Sequence, residues 1–510
     1  MRGPHNILRL IRTGATLERT GAMGVIMKAM DAPPLVRGTM RFLAWPFQWL
    51  GYRGDRSMPP ATRALTALGP AYIKFGQILS TRPDLVGDEL AMQLRVLQDK
   101  LPPFSTAVAK QSVTSELGQP VDDVFDAFSE PVAAASIAQV HRARLRDTGE
   151  EVAVKVLRPG IEKAFRKDID AFYFAAKMVE FLSPSARRLR PTDVIAHFEG
   201  VVLGELDLRL ESSSASEFAA NTEGDEGFEL PPVYWHLSSR RVMTLGWADG
   251  VSLGDNDGLD AVGHNGVLLS ERVLQLFLSH ALRDGYFHAD MHQGNLKVAG
   301  NGNIIAYDFG IMGHIDEYTR RVYAEILYGF IKRDYRRVAE VQFEAGYVPA
   351  DQDVDEFARA LRAVGGPIFG RDAGSISMGS LLSYLFEVTE RFGMETRTEL
   401  ILLQRTMVVV EGVARSLNPD INIWKTAKPV VENYIQRSIG PAAALRDLRK
   451  TLTVLARYGP RLPNIVEQAL IRQSTPPEPP ARANWLVFLL WGGIGSVLGA
   501  GAAAAALLLL

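Results

Sequence analysis

Phosphoryl transfer needs one carboxylate that takes or orients the proton of an attacking hydroxyl. It also needs an amide oxygen and a second carboxylate that hold magnesium on nucleotide phosphates. The stretch His288 to Gly310, H-A-D-M-H-Q-G-N-L-K-V-A-G-N-G-N-I-I-A-Y-D-F-G, supplies an Asp, an Asn five residues later and a D-F-G thirteen residues after that. Asp290 fits the first role, and Asn295 and Asp308 fit the metal pair. The apolar run Leu296 to Val298, the G-N-G at Gly300 to Gly302 and the run Asn303 to Tyr307 predict a β-hairpin, with the loop at one end and the D-F-G at the other. A surface loop before an ordinary turn would account for a lone D-F-G. It accounts poorly for the Asp, the Asn and the hairpin in register.

Upstream elements must position phosphates against that stretch. Ile137 to Leu145 alternates as a strand, Asp147 to Glu150 reads as a turn, and V-A-V-K-V-L alternates again with Lys155 on the second strand. A small-residue turn, Ala133-Ala134-Ala135-Ser136, leads the hairpin where a phosphate-covering loop would sit. Alanine restricts the positive torsions that glycine permits, so this loop should be stiffer than a glycine-rich one. Helical pattern follows over Ile161 to Phe181 and Thr192 to Asn221. The second stretch carries Glu205, Asp207 and Glu211 in G-E-L-D-L-R-L-E. Helical spacing puts Leu203, Leu206 and Leu210 on one face with Glu211 beside it, where it could pair with Lys155. Taken alone, Lys155 on an exposed hairpin and these acids on a solvated helix face are ordinary features.

Before the strands, A-L-G-P-A-Y-I-K-F-G-Q places Lys74, Gly76 and Gln77 in a helix opened by Pro70. A glycine inside a helix costs up to about 1 kcal/mol relative to alanine, so a close backbone approach is expected there. Further helices are predicted over Gly87 to Gln98 and Thr106 to Leu117. After a strand at Arg241 to Trp247 comes a linker whose amides could reach an adenine. The rest reads as helical, over Leu268 to Asp284, Glu317 to Arg333, Tyr335 to Ala345, Val354 to Val364, Gly379 to Phe392, Glu399 to Ser416 and Ala442 to Tyr458.

The chain has 510 residues, a net charge of -2 and no cysteine. No basic footprint for nucleic acid is present. Disulfides, thiolate zinc sites and a cysteine nucleophile are excluded, which fits a reducing compartment. No apolar core with a small-residue cleavage site marks a secretory signal near the N-terminus. Trp485 to Leu510 runs 26 residues without a charge or a proline. As a helix it would span about 39 Å, enough to cross a bilayer with some tilt. Arg472 and Arg482 precede it and no Lys or Arg follows, so the main body is expected on the cytoplasmic side. Within residues 1–60, F-L-A-W-P-F-Q-W-L at Phe42 to Leu50 is flanked by Arg37, Arg41 and Arg53. That pattern suits either the membrane interface or packing onto the protein's own core.

Taken together, these motifs resemble the UbiB family of atypical kinase-like proteins, which is linked to ubiquinone (coenzyme Q) biosynthesis. The resemblance rests on K-F-G-Q at Lys74 to Gln77, A-A-A-S at Ala133 to Ser136, V-A-V-K ending at Lys155, E-L-D at Glu205 to Asp207 with Glu211 beyond, H-A-D-M-H-Q-G-N, and D-F-G. It implies an α+β, two-lobed protein-kinase-like fold with a helical N-terminal extension and a C-terminal transmembrane helix. The organisation implied is an N-terminal segment over 1–60, the extension over 61–120, a nucleotide lobe over 121–250, a helical lobe over 251–470, a Pro-rich linker over 471–484 and a span over 485–510. It also implies that Lys74 and Gln77 fold over the site and meet Glu205 and Asp207, occluding protein substrates. Lys155 and Glu211 become a phosphate-positioning ion pair beside the Ala133-Ala134-Ala135-Ser136 loop, with ATP or ADP and magnesium as cofactors. The expected partners are nucleotide, the lipid membrane, quinone precursors and ubiquinone-biosynthetic enzymes.

The function expected is a membrane-anchored kinase or ATPase acting on or near lipid precursors. A protein kinase regulating a biosynthetic enzyme and a nucleotide-binding scaffold are the alternatives. Ala289 stands where ordinary protein kinases carry the Arg before the catalytic Asp, so control by an activation-loop phosphate is not expected.

Overall fold

The computed structural model describes residues 6–29, 45–80, 87–94, 103–182, 190–370, 391–394 and 398–439, with the single positions 38, 97 and 388. The Pro-rich linker, the uncharged segment Trp485 to Leu510 and the expected helix over Ala442 to Tyr458 lie outside these residues, as does most of the one over Gly379 to Phe392. Among the described residues no helix is long and apolar enough to cross a membrane.

The strands are β1 (Phe125–Ala134), β2 (Ala138–Leu145), β3 (Glu151–Leu157), β4 (Phe228–Glu229), β5 (Val242–Gly246), β6 (Val251–Ser252), β7 (Tyr286–His288), β8 (Leu296–Val298), β9 (Ile304–Ala306) and β10 (Met312–His314). They form three sheets, ordered β1-β2-β3-β5, β4-β9-β8-β6 and β10-β7. The described residues fall into two compact units. One takes in the residues up to Leu210 together with Tyr234–Leu245. The other takes in Glu211–Val233 and the residues from Gly246 on.

In the first unit, β3 follows the period of two. Val152, Val154 and Val156 are fully buried against Val113, Phe125, Ala143 and Leu145, and Lys155 alternates to the other face. β1 overturns part of the expected loop. Ala133 and Ala134 are strand residues paired with Val140 and Gln139, and only Ala135 and Ser136 lie in the connection. The ladder of β1 shifts register around Pro131, a residue that cannot donate a ladder hydrogen bond.

The helical prefix packs on the same unit. Pro70–Ser80 buries Tyr72 and Ile73, and its aromatic side meets Phe172 and Phe198 of helices Ile161–Leu182 and Pro191–Glu205. Gly76 has a local reason. A β-carbon there would come 2.4 Å from Leu65 and 2.5 Å from Leu97, both in the prefix's own apolar cluster.

The expected single helix over Thr192 to Asn221 is two, Pro191–Glu205 and Leu208–Asn221. Leu206 and Leu208 go inward, while Leu203 and Leu210 are 40% and 56% exposed, so the expected leucine face does not exist. The break is held by a long-range bond from the Leu208 N–H to the Arg240 carbonyl, 2.9 Å.

In the second unit, Asn265 caps helix Gly266–Ser279 by accepting from the Val267 and Leu268 N–H groups. A π-turn over His280–Asp284 follows and leads into β7. Helix Ile423–Ile439, absent from the expected helices, carries Pro429 inside it.

Candidate active site

Two short ladders build the site. β7 pairs antiparallel with β10, His288 opposite Met312, and β8 pairs with β9, Leu296 opposite Ala306. The chain therefore leaves β7 through Asp290, enters β8 after Asn295, leaves β9 towards Asp308 and returns on β10. The three residues lie in the two connections between these ladders. Further bonds hold the first connection. The Ala289 N–H donates to the Ile311 carbonyl (3.0 Å), and the Thr406 hydroxyl of helix Thr398–Leu417 donates to the Ala289 carbonyl (3.1 Å).

Within the loop, Asn295 is buried and its Nδ2 donates to Asp290 twice, to the carbonyl at 3.1 Å and to Oδ2 at 3.3 Å. That leaves Asn295 Oδ1 as the atom to face a cation. His292 Nε2 stands 3.6 Å from the same carboxylate oxygen of Asp290. The Asp308 Oδ1 accepts from the Gly310 N–H at 3.1 Å. Among the described residues no three His, Asp or Glu side chains converge into a metal cage. Magnesium held by one amide oxygen, one carboxylate and substrate phosphates needs no such cage, so the donor set fits it.

His288 anchors the loop from below. It is fully buried, and its Nδ1 accepts from the Asp290 N–H at 3.1 Å, which places the proton of the neutral ring on Nε2. Burial pushes its pKa down, against the pull of Asp308 and Asp290. Phe309 of the D-F-G is buried beside the His288 and Phe218 rings. Phe218 and Phe228 in turn enclose the His280 ring, whose Nε2 lies 3.1 Å from Asp225. Burial of Asp225 opposes its ionisation, but His280 and Arg283 outweigh it and hold the carboxyl well below the usual range.

Lys297 did not stand out in the sequence. It alternates away from the buried Leu296 and Val298, lies over the Trp247 and Tyr307 rings, and donates to the Ala248 carbonyl at 2.7 Å. The period of β8 was the signal available, because it sends Lys297 to the face opposite its apolar neighbours.

In the first unit, Lys74 Nζ meets Glu205 Oε1 at 2.8 Å, with side chains 15% and 16% exposed. Asp207 is drawn elsewhere. Its carboxylate accepts from the Arg209 guanidinium at 2.6 and 2.8 Å, which lowers its pKa. Gln77 reaches the Leu97 carbonyl at 3.5 Å. Ser136 is buried at the β1–β2 connection, and Ala135 accepts from the Arg158 guanidinium at 2.9 Å. Lys155 is half-buried on β3 opposite Val140, and Glu211 lies half-buried in the first turn of Leu208–Asn221.

Residues 96–342 match the ABC1 atypical kinase-like domain, and residues 361–422 match the UbiB helical domain. A "probable protein kinase UbiB" of Aliivibrio fischeri strain MJ11 is 43% identical over 412 residues, 80% of this chain and 76% of that protein. Its namesake in Pseudomonas putida strain GB-1 is 40% identical over 483 residues, 91% of this chain and 88% of that one. A Mycobacterium tuberculosis protein solved in complex with erythromycin shares the fold with a TM-score of 0.50 and 24% identity, covering 70% of this chain and 90% of that one.

Proposed function

The chain belongs to the UbiB family of ABC1-type atypical kinase-like proteins, and on that premise we propose that it is a membrane-anchored kinase or ATPase that turns over magnesium-ATP on or near lipid quinone precursors in ubiquinone biosynthesis. The observation that carries this reading is the double tie from Asn295 to Asp290, in the connection that runs from β7 into β8. It pre-sets a proton-accepting carboxylate beside an amide whose oxygen would be the ligand for a cation, an arrangement that a protein that merely bound nucleotide would not need.

In this reading Asp290 orients the attacking hydroxyl or water and takes its proton, while Asn295 and Asp308 hold the metal. Magnesium, when bound, would neutralise the phosphate oxygens. Lys155, paired with Glu211, would position the phosphates beneath the β1–β2 connection that holds Ala135 and Ser136. Lys74 on Glu205 would keep a protein substrate from docking. That last point favours a small or lipid acceptor over a protein, although the relatives carry the name protein kinase. Residues 485–510 would be the anchor, with the main body on the cytoplasmic face of the inner membrane.

The test is phosphate release by the full chain with ATP, with and without liposomes and a phenolic quinone-precursor mimic, beside Asp290→Asn. Turnover should rise with lipid or phenol and fall by at least about 100-fold in the variant, the scale of a lost acid–base group. Nucleotide binding without turnover under every condition would make the protein a scaffold.

A further inference from the structure

The 3-10 segment Trp45–Leu50 is pinned to helix Ile7–Thr20 through its backbone. Arg19 donates to the Gly51 carbonyl at 2.6 Å and to that of Trp49 at 3.4 Å, and the Tyr52 N–H donates to the Thr16 hydroxyl at 3.0 Å. Gly51 lets the two backbones touch, since a β-carbon there would come 2.5 Å from the Ala15 carbonyl group. The helix face beneath is small, with Ala15, Thr16 and Thr20 buried. The segment is thus fixed while its large rings point outward. Trp45 is 70% exposed, Trp49 74%, Tyr52 45% and Phe47 40%, and on the helix Leu8 is 77% exposed.

The first 60 residues of the sequence also carry a basic excess. Residues 1–60 hold nine Lys and Arg against three acids, +6, in a chain whose total is -2, so the remaining residues sum to -8. Arg12 is exposed and lies over the Tyr52 ring at 5.8 Å, and Arg53 and Arg56 are exposed on the following turn. Rigidly presented Trp and Tyr rings interleaved with arginines match a bilayer interface. There the rings sit at headgroup depth and cations face lipid phosphate. Protein–protein interfaces also favour Trp, Tyr and Arg, so it is the basic excess, complementary to an anionic headgroup surface, that selects the bilayer.

We propose that Trp45 to Tyr52, with Leu8, Arg12, Arg53 and Arg56, forms a docking surface for an anionic lipid bilayer, separate from the segment at residues 485–510. The proposal does not depend on nucleotide turnover.

The chain has no cysteine, so Gln48→Cys gives one attachment point for an environment-sensitive fluorophore. Thr148→Cys, in the exposed turn between β2 and β3, is the control. The labelled full chain is mixed with phosphatidylcholine vesicles and with vesicles that also contain phosphatidylglycerol. Label at 48 should shift to the blue on anionic vesicles and stay aqueous on neutral ones, while label at 148 stays aqueous on both. Replacing Arg12, Arg53 and Arg56 together with Gln should lower the lipid-facing to aqueous ratio on the order of 100-fold. Trp45→Ser with Trp49→Ser should abolish the shift. These rings are exposed, so the fold should tolerate their loss. An aqueous label on vesicles that carry the protein, or equal shifts on both lipids, would overturn the proposal. So would a vesicle-independent shift that grows with protein concentration, which would assign the patch to a second copy of the chain.

Discussion

A lysine and a glutamate 2.8 Å apart, each about 15% exposed, are worth more to this molecule than an ordinary surface pair. Lys74 lies on the prefix helix and Glu205 is the last residue of helix Pro191–Glu205, so the pair ties the prefix down at one point. Removing the lysine leaves a largely desolvated carboxylate, at a cost of about 1–3 kcal/mol. Lys74→Ala should therefore loosen the prefix and unmask autophosphorylation, measured as transfer of labelled γ-phosphate to the protein. Glu205→Gln should do the same. No change in either variant would mean that the pair is structural and gates nothing. The placing of Asp290, Asn295 and Asp308 in the two connections between neighbouring ladders was legible in the sequence, because their spacing around a hairpin announces it. The hold that Arg209 takes on Asp207 was not. It needs the helix break beside it, and residue spacing drawn on an unbroken helix hides that break.

At the scale of elements, hydrophobic period gave the hairpin β8–β9, the strands β2 and β3 and most helices of the second unit. It failed where a distant partner decides the matter. The Leu208 N–H finds the Arg240 carbonyl, and that bond ends one helix and starts another inside a window that reads as continuous. Ala133 and Ala134 read as turn residues, yet partners on β2 draw them into a ladder. Another unforeseen contact joins three helices. Arg9 of Ile7–Thr20 meets Asp168 of Ile161–Leu182 at 3.2 Å, and Tyr72 of Pro70–Ser80 hydrogen-bonds Thr13 at 2.7 Å. Burial pushes the Asp168 carboxyl up to about 6, against the pull of Arg9 and Lys167. Its folded pKa thus exceeds the usual 3.8, and the folded state holds the proton more tightly. The associated stability is full below about pH 4 and is lost as pH rises through 6. Asp168→Asn removes the charge that must be desolvated. It should raise stability at pH 7 by about 1–3 kcal/mol and change little at pH 4, read from urea midpoints at the two pH values. A loss at pH 7 would show that the Arg9 pair outweighs burial.

At the scale of the whole molecule, neither unit is one continuous stretch of chain. The first borrows Tyr234–Leu245, which carries most of β5, and the second borrows Glu211–Val233, which carries β4 and Asp225. Each loan is structural. β5 completes the β1-β2-β3-β5 sheet, with Val242, Met243 and Thr244 fully buried and the Leu157 N–H bonded to the Arg241 carbonyl. β4 pairs in parallel with β9, the strand that precedes Asp308, and Asp225 meets His280 just ahead of β7. A fragment ending at Leu210 would expose the edge of β3 and open the core that Val242 fills. A fragment ending at Leu245 would not. The longer fragment should therefore unfold in one cooperative transition in denaturant, and the shorter one gradually, without a defined midpoint. Equal cooperativity in both would mean that the first sheet is complete without its fourth strand. The sequence between Glu211 and Leu245 would then serve the second unit alone.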